Sequence, residues 1–246
     1  MSGSTTVAGK SVLVTGANRG LGRALVGEAL RRGAKRVYAA SRRPLVHADA
    51  RVTPVTLDVT NESQIQDAVE GVESLDILIN NAGISLPGDD RGAVEQHLAV
   101  NLFGTWGVTK AFLPSLTRTG GAIVNVVSIG AFAAVPVLPA YSISKAAAFS
   151  LTQSLRALLA GQGVSVHAVM PGPIDTDMVR DLPVPKTSPE SVARATFDGM
   201  ESGDEEIFPD PMSETMAESW RTGAAKELER QNAALVRPPA EERNHA

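Results

Sequence analysis

The chain of 246 residues contains no cysteine. Disulfides, thiolate metal sites and a cysteine nucleophile are therefore excluded, and the absence fits a reducing, cytoplasmic setting. Histidine is scarce as well. His47, His97, His167 and His245 are scattered without metal-ligand spacing, so no metal site is expected. A long apolar run is also missing. The charge-free stretch from Thr119 to Ser144 is broken by Asn125, Ser128, Pro136 and Pro139, whereas a membrane span needs about 20 mostly apolar residues. The first ten residues are small and polar and lack the apolar segment of a signal peptide. Positive charge is not in excess. There are 23 Lys and Arg against 27 Asp and Glu, with a net charge of −4 and a pI near 5.6. Nucleic acid is thus not expected as a bulk partner, and neither is a membrane.

What is present is ordinary for a folded protein: 43% apolar and 20% charged residues. Parallel α/β folds often exceed the usual ~150 residues as one unit, so residues 1–246 are read as a single domain. Charge is unevenly spread. Residues 19–51 carry nine basic and two acidic side chains, and residues 201–246 carry five and eleven. A basic block inside an acidic protein points to a local anionic ligand, or else to a solvated helix face.

Short apolar runs alternate with helical patterns. Strands are predicted at Ser11–Thr15, Val37–Ala40, Val52–Leu57, Leu75–Asn80, Ala122–Val127, Val164–Met170 and Glu205–Phe208. Helices are predicted at Gly20–Arg32, from Asn61 as cap to Val69, over a long span from Arg91 to Thr117, at Ala140–Ala160, after Ser188 as cap, and from Met212 to Arg230. The runs do not alternate polar with apolar, so both faces of the sheet are buried. The expectation is a doubly wound α/β fold of the Rossmann kind, with about seven parallel strands and helices on both faces. Residues 177–215 read as a substrate loop or lid region and residues 237–246 as a flexible tail.

Thr15-Gly16-Ala17-Asn18-Arg19-Gly20-Leu21-Gly22 lies between the first strand and the first helix. Gly16 permits a tight turn, Gly20 a close backbone approach to a pyrophosphate, and Gly22 close packing of the helix. The helix start offers free N–H groups and a favourable dipole to an anion. That position makes the dinucleotide reading specific. NAD sites place an acid about 20 residues further on. Here the second strand ends in Ser41-Arg42-Arg43 with no acid. A carboxylate would repel a 2′-phosphate, whereas Arg42 and Arg19 match it, so NADP(H) is expected.

Tyr141 and Lys145 are four residues apart and share a helix face. A free tyrosine titrates near 10. A neighbouring ammonium lowers that value, so the pair can act as general acid and base. Ser128 ends the preceding strand and can meet Tyr141 at the carboxyl edge of the sheet, where open α/β sheets bind ligands.

With these motifs, the chain resembles the single-domain short-chain dehydrogenases/reductases. The matching residues are Thr15-Gly16-x-x-x-Gly20-x-Gly22, Asp58-Val59, Asn80-Asn81-Ala82-Gly83, Asn101, Ser128, Tyr141-x-x-x-Lys145 and Pro171-Gly172-Pro173-Ile174-x-Thr176. The resemblance implies that Asp58 and Val59 hold the adenine. It implies that Asn81, Ala82 and Gly83 line the adenosine side and brace the sheet, and that Asn101 holds a water linking Lys145 to solvent. Lys145 would bond the nicotinamide ribose, and Ile174 and Thr176 the carboxamide. The resemblance breaks down at Pro209-Asp210-Pro211, where many members have a Val-Asp-Gly-Gly-like segment.

The expected activity is NADPH-dependent reduction of a ketone or aldehyde, reversible as an alcohol dehydrogenase, with Tyr141 supplying the proton. A non-catalytic NADP-binding regulator of the same fold is the alternative. Ile129, Ala131, Phe132, Val135, Val137, Leu138, Met178 and Val179 suggest a mostly apolar pocket for a small apolar carbonyl or alcohol. The excess of small and apolar residues on two helices, including Phe103, Trp106, Ala146, Ala147, Ala148, Phe149 and Leu151, suggests a homo-oligomer, dimer or tetramer.

Overall fold

The computed structural model describes residues 5–43, 45–180 and 183–236. In chain order its elements are β1 (Ser11–Thr15), α1 (Gly20–Arg31), β2 (Arg36–Ser41), β3 (Val52–Thr56), α2 (Glu62–Gly71), β4 (Ile77–Asn80), α3 (Arg91–Leu98), α4 (Thr105–Thr119), β5 (Ala122–Val126), α5 (Pro139–Leu159), β6 (Ser165–Val169), α6 (Pro189–Ser202), β7 (Glu206–Ile207), α7 (Pro211–Arg221) and α8 (Ala224–Ala233). All seven strands pair in parallel, in the order β3-β2-β1-β4-β5-β6-β7. The chain winds outward from β1 to β3 and returns to β4 on the other side of β1. The crevice at that reversal is where such sheets bind ligands.

The strand residues explain the layering. Along β1, Val12 and Val14 pack with α1 and α6, through Leu25, Ala29, Phe197 and Met200. Leu13, between them, packs on the other face with α2, α4 and α5 residues Ile65, Phe112, Leu116 and Leu155. A strand buried on both faces is apolar along most of its length, and β1 is fully buried, with Val12, Leu13 and Val14 between Ser11 and Thr15. The edge strand β3 differs. It alternates in burial and carries Pro54, which an edge tolerates because one side of its backbone needs no partner.

Several local signals act as expected. Asn61 caps α2 by accepting from Gln64 N, and Ser188 caps α6 with Pro189 in its first turn. Three expectations need correction. The helix expected from Arg91 to Thr117 is interrupted by a π-helical turn, Ala99–Gly104. The helix expected from Met212 to Arg230 is two helices, because Gly223 turns extended between them and a Cβ there would meet Ser219 O at 2.5 Å. The expected loop or lid at 177–215 is not all loop, and it opens with a 3-10 turn, Asp177–Val179. Residues 189–202 form α6, whose Val192, Ala193 and Phe197 are buried against α1 in the core layer. The expected tail at 237–246 lies outside the described residues. Among the described residues no helix is long and apolar enough to cross a membrane.

Candidate active site

A cleft of about 750 Å³ opens at the carboxyl edge of the sheet, over the β1–β4 reversal. Every residue expected to hold the coenzyme lines it: Gly16, Asn18, Arg19, Gly20, Leu21, Gly22, Ser41, Arg42, Asp58, Val59, Asn81, Ala82, Gly83, Tyr141, Lys145, Pro171, Gly172, Ile174 and Thr176. Residues 160 positions apart meet here because each follows a parallel strand. Sequence reading missed Arg43, Thr60, Ile84, Val100, Val126, Asp177 and others in the lining. Arg43 sits beside an assigned arginine, which was an available signal. The rest depend on how distant loops approach one another.

The glycine loop fits an anion. Arg19 caps α1 with extended backbone and no side-chain cap bond, and the first turn carries no acid. The leading N–H groups of α1 thus lack an internal acceptor. A Cβ on Gly22 would sit 2.1 Å from Gly16 O, and one on Gly20 would sit 3.0 Å from Thr176 Cγ2, with φ at +51°. Both positions therefore require glycine, and the loop stays thin enough for a phosphate group to approach its backbone. Asn81 braces the turn. Its Nδ2 donates to Thr15 O at 2.8 Å, and its N–H donates to Thr15 Oγ1 at 3.0 Å.

Asp58 is held in its own turn, accepting from Thr60 N at 3.0 Å and Thr60 Oγ1 at 2.7 Å. Burial alone would raise its carboxyl, but these bonds and the Arg42 charge outweigh burial and leave it below its ordinary value. Arg42 and Arg43 stand exposed at this end of the cleft. Arg19, expected to reach a 2′-phosphate, donates to Asp177 Oδ2 at 2.9 Å.

At the other end lie the four residues expected to carry the chemistry. Tyr141 and Lys145 line the cleft from the first turns of α5, while Ser128 and Asn101 are buried just behind it. Ser128 acts on the Tyr141 phenol and draws its pKa downward. Ser128 Oγ also accepts from Gly130 N at 3.0 Å. The expected effect of Lys145 on Tyr141 needs correction. Burial raises the phenol above its ordinary value, and Ser128 opposes that only in part. Lys145 Nζ sits 5.7 Å from the ring centroid and donates to Val126 O at 2.8 Å. Burial also lowers the Lys145 ammonium to about 8.

Asn101 lies in the π-helical turn, a feature often found at functional sites. Its Oδ1 accepts from Ile84 N at 2.8 Å, and its Nδ2 donates to Ile84 O at 3.0 Å and to Ser144 Oγ at 2.9 Å. The amide therefore ties the loop after β4 to α5. A Cβ on Gly83 would lie 3.2 Å from Asn101 Oδ1 and 3.7 Å from Lys145 Nζ. The glycine keeps a gap open between those two polar groups.

The expected apolar pocket is only partly formed as anticipated. Met178 and Val179 line the cleft. Ile129, Ala131 and Phe132 instead pack on a separate cluster with Phe149 and Phe208. Phe132 stacks on Trp220 of α7 with centroids 4.3 Å apart. The altered C-terminal segment brings Trp220 there, which is why those residues are covered.

Comparison with known proteins agrees with this geometry. The short chain dehydrogenase family model matches residues 10–186. A short chain dehydrogenase from Burkholderia cenocepacia J2315, solved in complex with NADP, is 38% identical, with a TM-score of 0.84 over 95% of this chain and 100% of its own. The ketoacyl reductase HetN of Nostoc sp. is 32% identical over 239 residues, 86% of this chain and 83% of its own. The 2-(S)-hydroxypropyl-CoM dehydrogenase 3 of Xanthobacter autotrophicus is 35% identical over 201 residues, 74% of this chain and 79% of its own. With the parallel sheet, and with the glycine loop, Tyr141 and Lys145 in one cleft, these matches make this chain an oxidoreductase of the short-chain dehydrogenase family.

Proposed function

We propose that the protein is an NADPH-dependent reductase of ketones or aldehydes, working in reverse as an alcohol dehydrogenase. The observation that carries this reading is the placement of Tyr141 and Lys145 together in the lining of the cleft that also holds the glycine loop, with Ser128 acting on the Tyr141 phenol. When bound, a nicotinamide coenzyme supplies the hydride. Ser128 donates a hydrogen bond to the substrate carbonyl oxygen and fixes its position. Tyr141, kept protonated by burial, gives its proton to that oxygen as negative charge develops there. Lys145 holds the ribose, and its charge stabilises the phenolate left behind. Asn101 and the gap at Gly83 admit a water that returns a proton through Lys145. Turnover of NADPH with a panel of ketones tests the reading, and absence of turnover with every carbonyl tried would favour a binding role instead.

The preference for NADP(H) rests on Arg19, Arg42 and Arg43 along the cleft and on the missing acid after β2. The Burkholderia relative, solved with NADP, supports it. Arg42→Ala is expected to weaken NADPH about 10–150-fold, from the ~1.5–3 kcal/mol of a charge-assisted contact, and to change NADH little. Fluorescence titration of both coenzymes checks this, and equal binding of the two by the unaltered protein refutes it.

Self-association completes the proposal. Ala148 and Phe149 are buried within the chain, yet Phe103, Trp106, Ile143 and Leu158 leave an exposed apolar face on the π turn, α4 and α5. Isologous pairing of that face is the simplest cover. Sedimentation at low micromolar concentration should give at least a dimer, and a clean species at the chain mass of 25.7 kDa rules it out.

A further inference from the structure

We infer that Asp177 competes with the 2′-phosphate of the coenzyme for Arg19, and so moderates the preference of this chain for the phosphorylated coenzyme. The inference rests on the NADP(H) reading above. Both side chains line the cleft, and they bond at 2.9 Å although 158 positions apart in sequence. Their pairing is built in. A Cβ on Gly20 would touch Thr176 Cγ2, so the segment after β6 lies directly on the glycine loop. The base of that segment is fixed by Asp175 N donating to Thr187 O at 2.9 Å and Thr187 N donating to Pro173 O at 3.0 Å. Asp177 is thereby held beside Arg19.

The charges then decide the outcome. A 2′-phosphate carries about two negative charges near neutral pH and needs the guanidinium that Asp177 occupies. The carboxylate both blocks one donor of Arg19 and repels the phosphate. The 2′-hydroxyl of NADH has no charge, so it meets neither penalty. Displacement does not strand the carboxylate, because Asp177 also pairs with Arg180. The side chains of Arg19 and Asp177 are 65% and 50% exposed, which keeps the exchange small. Exposed pairs of this kind shift an equilibrium by about two- to fivefold.

The test is titration of the full chain with NADPH and with NADH, followed by nucleotide fluorescence. Asp177→Asn should tighten NADPH about two- to fivefold and leave NADH unchanged. Asp177→Glu, which keeps the carboxylate, should behave as the unaltered protein. The gain should vanish when Arg19→Met is already present, since the two residues act on one another. No change for NADPH, an equal loss for both coenzymes, or the same gain without Arg19 would each overturn the competition. An unaltered protein that binds NADPH no better than NADH overturns the coenzyme reading and the competition with it. One that prefers NADPH while Asp177→Asn has no effect overturns the competition alone.

Discussion

Tyr141→Phe is expected to lower ketone turnover by about 10²–10⁴-fold while NADPH still binds, because general acid catalysis contributes roughly that factor. The substitution keeps the ring that lines the cleft and removes only the hydroxyl. Most residues expected to hold the coenzyme lie elsewhere in the cleft, along Gly16–Gly22, Ser41–Arg42 and Asn81–Gly83, so the loss should fall mainly on kcat and largely spare the NADPH dissociation constant. Burial raises the Tyr141 phenol above its ordinary value. Before the coenzyme and substrate bind, the side chain therefore carries its proton, as the reductive direction requires. Lys145, lowered to about 8 by burial, remains largely cationic at neutral pH and loses its charge as pH rises through that value. Steady-state kinetics with one good ketone, alongside fluorescence titration of NADPH, separate the effects. Turnover within a few-fold of the unaltered protein assigns the proton donor elsewhere. Loss of NADPH binding instead makes Tyr141 a residue of the coenzyme site first.

Much of this site can be read from residue order because its signals are local. The glycine spacing follows a strand and opens a helix, and Tyr141 and Lys145 are one helical turn apart. In a parallel sheet, whatever follows a strand arrives at the same edge, so strand order alone gathers Ser41, Asp58, Asn81 and Pro171 into one crevice and brings Ser128 to the same edge. Features that depend on distant pairing were not readable in this way. The π turn at Asn101 leaves the apolar helical pattern intact, so the span looked like one continuous helix. The Arg19–Asp177 pair has no spacing that announces it. The direction of the Tyr141 shift is set by burial, and sequence separation gives only the helix face shared with Lys145. Phe132 looked like a pocket residue until Trp220, 88 positions later, stacked on it. That last case belongs to the C-terminal segment, where the family pattern lapsed and no motif remained to guide the reading.

The same segment carries the largest expected effect on stability. Glu206 of β7 is buried at the sheet edge, an unusual place for a carboxylate, and Lys226 of α8 is buried against it. Lys226 Nζ lies 2.9 Å from Glu206, 3.0 Å from Glu229 and 2.7 Å from Glu205. Arg156 of α5 approaches Glu206 at 2.9 Å and also pairs with Glu229. Two cations thus serve three carboxylates whose oxygens lie within 4.8 Å of one another. They tie α8 and α5 to β7 and cover an edge that would otherwise be open to pairing. Lys226→Met keeps the aliphatic stem and removes the ammonium. One guanidinium would then face three carboxylates, two of them largely buried, and breaking such a pair costs about 3–5 kcal/mol. Glu205 is half exposed and can turn to water, which places the expectation near ~3 kcal/mol, or about 6–12 °C in Tm for a chain of this size. Removing Glu206 as well changes the balance, because an uncharged pair of similar volume is often as stable as the ion pair it replaces. The double variant Lys226→Met with Glu206→Gln should therefore recover most of the loss. Thermal unfolding of the three proteins decides the matter. A single variant within 2 °C of the unaltered protein, or a double variant less stable than the single, means that the cluster does not hold α8 in place.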